Sequence, residues 1–471
     1  MEEIVWNGRW SIGWKELEVN DLTRNGTCRF SSDGGAILEI HNGTISTSFA
    51  LATTGMYSYG LNETCFATLY GIDKDGTHLV LCDALSQNIK LSFQNNSSET
   101  FTGTTVFSAE HAFDPNALIT QMRFEIQLLN DWIRISRSEL ARRLDNKTNH
   151  GKIYISIPLY RSSRMCAELR IELHPITSPE KRESGSYHCY IMLEYLTGET
   201  LENICSDVLW KIQSLFAFCF GVYPAVSHMQ FRQVEGDQWI NVYRCSVNTK
   251  EEIRLSSSPP ISFSSLGSEG LSKLSDNWIK LSGDERYGAN ILTSLLGSWN
   301  MPIDLLLMAA TTMLESLARA NRDNLYNPQE FKQLIKPIIE AASDELKQRV
   351  AGLLKLLQQP SYGQLLNEAY EEVRPWSENL IPNWKRFKKE QQKLRNVGAH
   401  GKNSVTNSYL QANHYNAQIV LGYIILMKRL GLSTAIINRF EQSSFLNAAR
   451  WRISRQYSTD TEASEHLISN Q

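Results

Sequence analysis

The sequence predicts a multidomain chain in which a β-rich, sandwich-like front half with one inserted helix precedes an all-α bundle. Three observations predict it. Short apolar alternations broken by turn residues run from about residue 8 to residue 195, and apolar residues at i, i+3, i+4 spacing dominate beyond residue 300. All eight cysteines lie within the first 245 residues. At roughly 150 residues per domain, 471 residues correspond to about three structural units.

The front half reads as strands. Ala36–Ile40 runs into Asn42-Gly43, and Phe66–Ile72 and His78–Asp83 flank the turn Asp73-Lys74-Asp75-Gly76, a hairpin signature. Further runs fall at Ala117–Leu129, Lys152–Tyr160, Ala167–His174 and Tyr187–Leu196, a spacing that suits a sandwich or jelly roll. The inserted helix spans Glu199–Phe220, where Leu201, Ile204, Cys205, Val208, Ile212 and Leu215 share a face. Strand-like runs resume at Met229–Phe231 and Trp239–Val247. Residues 1–265 are therefore one β-rich region, with lobes of about 1–150 and 151–265. The Ser-, Gly- and Pro-rich stretch Leu255–Asp276 reads as a linker or surface loop, so 266–299 is expected to connect the halves.

Residues 300–455 read as helices. Ile303–Ala320 carries the stripe Leu306, Met313, Leu314 and Leu317, and Asn327-Pro328 supplies N-cap and N1 of the next helix. Ser343-Asp344-Glu345 opens a third that stops before Pro360. Asn383–Arg395 and Ser404–Leu430 follow, the latter ending in Lys428-Arg429 ahead of Gly431. A polar tail, 456–471, closes the chain.

Composition excludes several classes. With 42% hydrophobic and 21% charged residues, collagen-like and wholly disordered chains are ruled out. The cysteines show no C-x-x-C pair and no zinc-finger His spacing, so they read as small buried hydrophobes in a reducing compartment, and no metal or other cofactor is expected. The N-x-S/T sequons read as Asn-rich turns. The longest apolar run near the C-terminus, Ile419–Met427, has nine residues against the ~20 that span a bilayer. Met1-Glu2-Glu3 lacks the basic start of a secretory signal. A soluble, cytoplasmic protein with no membrane partner is expected. The net charge of −3 hides a division: residues 300–471 hold 21 Lys/Arg against 16 Asp/Glu, and the remainder 26 against 34. The helical half is basic by +5, and the front half is acidic by −8.

The basic excess concentrates in Lys385, Arg386, Lys388, Lys389, Lys393, Arg395 and Lys402, with Trp384 and Phe387 interleaved. Such a run is either a solvated helix face or a phosphate-binding one. Inside it, Arg395 and His400 are separated by four residues. An imidazole that titrates near neutrality can move a proton at a ribose hydroxyl or leaving oxygen, while a guanidinium fork stabilises charge on a phosphoryl group. The spacing alone also arises by chance: Arg143 with His150 and Arg182 with His188 come close to it in polar loops. Context separates the third pair, which lies at the junction of two strong helices, with Asn396 directly after the Arg and small residues around the His.

Arg395-Asn396-x-x-x-His400, with Met313-Leu314-Glu315-Ser316-Leu317 on a preceding helix, resembles the HEPN superfamily of ribonucleases. Tyr70-Gly71-Ile72 and the following strand ending Leu81-Cys82-Asp83 resemble the N-terminal domain of ApeA-type anti-phage defence proteins. The resemblance covers nearly the whole chain. It implies a metal-independent endoribonuclease that acts by abortive infection on cellular RNA, tRNA being one candidate, and leaves a 2′,3′-cyclic phosphate. It also implies a homodimer or higher homo-oligomer formed through the helical domain, and a phage-derived trigger sensed by the N-terminal region. Arg395 would stabilise the scissile phosphate, His400 would transfer the proton, and Asn396 would orient substrate or imidazole. Glu315 reads first as a solvent-facing helix glutamate, with a supporting role that orients the motif as the second reading. Lys385, Lys388, Lys389, Gln391, Lys393 and Lys402 are the expected RNA contacts, Lys388 and Gln391 because they share the Arg395 face. Trp384, Phe387 and Leu394 are expected in the core, and His414 at the surface or in the core. The rival reading is a non-catalytic HEPN-like RNA-binding or scaffold protein; a carbohydrate- or peptide-binding sandwich is a third.

Overall fold

The structure, a computed structural model, describes residues 3–18, 23–32, 34–45, 65–90, 98–134, 148–149, 152–173, 187–244, 253–297, 300–320, 327–400, 408–441, 443, 450, 452–453 and 456–457. It divides into two compact units, residues 1–213 with 224–254 and residues 214–223 with 255–471.

The first unit is built from antiparallel strands. β1 (Ile4–Ser11), β2 (Arg24–Ser31), β3 (Gly35–His41), β4 (Cys65–Asp73), β5 (His78–Lys90) and β6 (Ser98–Gly103) close on themselves in the order β4-β1-β2-β3-β6-β5, with β5 pairing back to β4. The expected hairpin is the pair β4–β5, Leu69 opposite Leu81. Alternation fills the barrel: Trp10, Cys28, Leu38, Ile40, Leu69, Leu81 and Phe101 are all buried. Gly71 lies against the Trp10 ring, where a Cβ would come within 2.8 Å, so closure there requires glycine. β5 is long enough to pair also with β7 (Thr105–Ala109). From β7 the sheet continues through β14 (Ile240–Arg244), β13 (Val226–Gln233), β8 (Ile119–Ile126), β12 (Tyr187–Glu199), β11 (Met165–Leu173), β10 (Lys152–Arg161) and β9 (Thr148–Asn149). The sandwich-like expectation is thereby refined to a closed barrel continued by a sheet. Cys28, Cys82 and Cys166 belong to this unit; burial pushes the thiols of Cys28 and Cys82 up to about 12.

The inserted helix is present, opening with a π-helical stretch at Ile204–Leu209 and continuing as α1 (Trp210–Phe220). The expected connecting segment is instead helical. α2 (Phe263–Lys280) and α3 (Gly283–Leu295) occupy it, because Leu271, Leu274 and Trp278 of α2 and Ala289 and Leu292 of α3 recur at helical spacing and are buried. The serine and glycine content hid that period. Six helices follow as expected or as additions: α4 (Ile303–Arg319), α5 (Pro328–Ala341), α6 (Asp344–Leu356), α7 (Tyr362–Glu372), the short α8 (Trp376–Leu380) and α9 (Trp384–His400). α10 (Ser408–Arg429) and α11 (Thr434–Glu441) complete the series.

α10 is the spine of this unit, buried almost without interruption from Ala417 to Met427. Each fully buried Leu, Ile, Met or Tyr there contributes about 1.5–3 kcal/mol through removal of apolar area from water, far more than propensity could. Tyr423 stacks on Phe218 at 4.9 Å, and Phe218 stacks on Trp278 at 5.0 Å. Gly422 lets α10 approach α4, since a Cβ there would collide with Met313. Gly431, at φ 76°, ends the helix in the left-handed conformation. Among the described residues no helix is long and apolar enough to cross a membrane.

Candidate functional site on helix α9

α9 is capped by Asn383, whose side chain accepts from the Arg386 N–H at 3.1 Å. A run of Lys, Arg, Glu and Gln then favours the helix, and Arg386 pairs with Glu390 one turn on at 3.0 Å. Phe387 and Leu394 point inward and are buried; Trp384 stacks between Tyr370 (4.2 Å) and Phe387 (5.4 Å) and donates to Asn367. Phe387 and Leu394 are core, as their spacing predicts, and Trp384 is half-buried against it. The helix does not stop at Arg395 but runs on through Val397-Gly398-Ala399 to His400. The motif therefore occupies the last turns of α9, ahead of α10.

Arg395 is positioned from two sides. Its Nη2 lies 3.4 Å from Glu315 Oε2 on α4, and its guanidinium sits 4.7 Å above the Tyr362 ring at the start of α7. Glu315 also accepts from Arg319, one turn further along α4, at 2.6 Å. Glu315 is 16% exposed and Arg395 39%, which corrects the first reading of Glu315 as a solvent-facing helix glutamate. A pair this exposed contributes about 0.2–1 kcal/mol, so its effect is orientation more than stability. Tyr362 is fixed in turn: Ser361 and Gln364 form a capping box around it, and its hydroxyl accepts from Gln391 Nε2 at 3.1 Å. Burial raises the Tyr362 phenol above its ordinary range, keeping it neutral beneath the guanidinium.

Gln391 is corrected from a surface contact to a core residue. It is fully buried, donates to Thr311 Oγ1 at 3.0 Å, and receives the Nδ1–H of His414 on its Oε1 at 2.8 Å. The face that carries Arg395 turns inward there because Thr311, Tyr362 and His414 cover it. His414 is also fully buried, stacked on Phe387 at 4.3 Å, with the Tyr457 hydroxyl 2.7 Å from its Nε2. That hydroxyl also lies 2.7 Å from Glu390 Oε2. Burial lowers the His414 pKa, so the ring is neutral. Burial pushes Glu390 the other way, but its hydrogen bonds, those from the Tyr457 hydroxyl and Arg386 among them, outweigh it and hold the carboxyl at about 2. Sequence reasoning missed Tyr362, Thr311, Glu390 and Tyr457. The available signal was a histidine just ahead of the continuous apolar run Ile419–Met427 in the same helix, where a polar ring requires buried partners.

The outer face differs. Lys385, Lys389, Lys393 and Asn396 are exposed and lie about one helical stripe apart, whereas Lys388 is half-buried beside Gly363. His400 is the last residue of α9, its side chain lying outside the described residues, as do the whole of Lys402 and the comparison residues Arg143, His150 and Arg182. The remaining comparison residue, His188, pairs with Glu125 at 3.2 Å in the β unit. Among the described residues no group of three or more His, Cys, Asp and Glu is placed to hold a metal ion.

Within this α-helical unit, Apea-like HEPN matches residues 308–436. ApeA N-terminal domain 1 matches residues 5–278, more than half of the chain. The chain belongs to the ApeA family of HEPN-type defence nucleases. Neither a curated protein nor a solved structure matches it.

Proposed function

We propose that the chain is an endoribonuclease that cuts cellular RNA in anti-phage defence, tRNA being the first substrate to test, through Arg395 and His400. The observation that carries the reading is the seating of Arg395: an always-charged fork, oriented by Glu315 and Tyr362 at the edge of an exposed lysine stripe. In the reaction, the ribose 2′-hydroxyl attacks its own phosphorus, the P–O5′ bond breaks, and a 2′,3′-cyclic phosphate and a 5′-hydroxyl form. His400 takes or gives the proton, Arg395 stabilises the added charge on the phosphoryl oxygens, and Asn396 orients the substrate. No step calls on a metal. Lys385, Lys389 and Lys393 draw the phosphate backbone, with Lys388 and Lys402 beside them.

On a continuous helix, positions 395 and 400 are about 140° apart around the axis and about 7.5 Å along it. One copy thus spreads the two groups, which favours a site completed by a second copy. Leu334 and Ile338 of α5, and Leu346, Leu353 and Leu357 on and just after α6, are exposed apolar residues at helical spacing that suit such self-association. The β unit would then hold the receptor for a phage-derived trigger. Purified full-length protein incubated with tRNA and total RNA in EDTA, at concentrations where sedimentation shows dimer and where it shows monomer, tests the reading. Cleavage confined to the dimer supports it. A fully active monomer removes the composite site, and an active Arg395→Ala variant removes the assignment.

A further inference from the structure

The β unit contains a cavity of about 410 Å³, within the ~300–1,000 Å³ of small-molecule sites, between barrel strands β1 and β2 and one face of the flanking sheet. Its sheet side is a built polar surface. Arg123, Gln230, Asn241 and Ser108 stand opposite one another on four adjacent strands, and each side chain bonds the next: Arg123 Nε donates to Gln230 at 2.6 Å, Gln230 to Asn241, and Asn241 to Ser108 at 3.2 Å. Trp239 stacks beneath the Arg123 guanidinium at 4.2 Å and fixes its plane. Two residues along β8 on the same face, Glu125 is held by His188 at 3.2 Å, and Glu172 stands opposite His188 in register. Phe30, Tyr190 and Tyr243 supply aromatic wall.

A register break between Ser227 and Gln230 shapes the rim. His228 there takes φ 45°, a conformation rare for a residue with a side chain and concentrated at functional sites. β8, β13 and β14 are each paired on both sides, so the cavity offers no open strand edge for a peptide to extend. Charge narrows the ligand further. Arg123 and Arg244 are matched by Glu125 and Glu172, so a bare anion gains little. The arrangement suits a planar ring that presents acceptors along one edge and donors along another. Guanine is such a ring: O6 and N7 accept from an arginine fork, N1–H and the 2-amino group donate to a carboxylate, and both faces stack on aromatics.

We propose that this cavity binds a guanine nucleoside or nucleotide by its base, with Arg123 on the O6/N7 edge and Glu125 on the donor edge. The sugar and phosphate project toward the His228 rim. The test is calorimetric titration of the full chain with guanosine, GMP, adenosine and inorganic phosphate. Guanosine and GMP bind with similar affinity, adenosine at least tenfold more weakly, and phosphate contributes nothing. Glu125→Gln, which keeps shape and removes the charged acceptor, weakens guanosine at least tenfold, a discrimination in the range of one bidentate base contact. Arg123→Lys, which keeps the charge and removes the fork, does the same. Thermal melting of both variants shows them folded. Failure of guanosine and GMP to bind at about 1 mM, equal binding of adenosine, binding of phosphate alone, or unchanged affinity in both folded variants overturns the proposal. The titration reads no RNA cleavage, so its outcome is separate from that of the nuclease reading.

Discussion

The two faces of α9 carry similar side chains and meet opposite fates. Lys385, Lys389, Lys393 and Asn396 stand in solvent, while Gln391 and its partner His414 are sealed in the core with every heteroatom of the pair engaged. Arg395 lies between them, half in each environment. The contrast teaches that polarity along a helix does not mark its wet face. What decides is whether neighbouring elements bring partners: Thr311, Tyr362 and Tyr457 do so for the inner face, and among the described residues none covers the lysine stripe. The inner face holds the helix in place, and the outer face is the one proposed to meet substrate.

The strongest way to break the contrast is His414→Ala. It strands Gln391 Oε1, at a cost of about 1–3 kcal/mol, and leaves a cavity where the ring stacks on Phe387. A loss of at least about 3 kcal/mol is expected from urea denaturation, against under about 0.5 kcal/mol for Lys389→Ala. Equal losses would show that the two faces do not differ. Gln391→Ala should fall below His414→Ala, at about 2 kcal/mol, and should also release the Tyr362 hydroxyl beneath Arg395.

Acid sharpens the same contrast. His414 has a folded pKa below its unfolded value near 6.5, so the unfolded chain takes the extra proton and stability falls as pH drops below about 6.5. Glu390, held at about 2, contributes stability above its unfolded value near 4.3 that is lost as pH falls toward 2. Glu390→Gln should flatten that lower limb. A wild-type stability independent of pH between 6.5 and 3 would contradict the buried network. The smallest effect belongs to the outer face: removing Lys389 and Lys393 together should reduce the log–log salt slope of RNA binding by about 1.4, at roughly 0.7 per phosphate.

Much of this was legible beforehand. The hairpin at Asp73–Gly76 is written in alternation and turn residues, and the α10 end in Lys428-Arg429 and Gly431. The α2–α3 segment was hidden because Ser and Gly dilute its helical period, although Leu271, Leu274 and Trp278 carry it. Barrel closure depends on β4 pairing with both β1 and β5, contacts that no local pattern encodes. At the candidate site, Arg395 and its family context could be read. Gln391 could not, since helical spacing placed it correctly beside Arg395 while only tertiary packing buried it. Glu315 was legible as a neighbour of the motif but not as the carboxylate that holds it.

The measurement that bears most directly on the account is the rate of RNA cleavage in EDTA by wild type, Arg395→Ala, His400→Ala and the double variant, with the product ends identified. The account predicts a 2′,3′-cyclic phosphate, a loss of about 10²–10⁴ for His400→Ala, about 10²–10³ for Arg395→Ala, and a double variant little worse than the poorer single one. Full activity in both single variants, or cleavage that stops in EDTA, would contradict it.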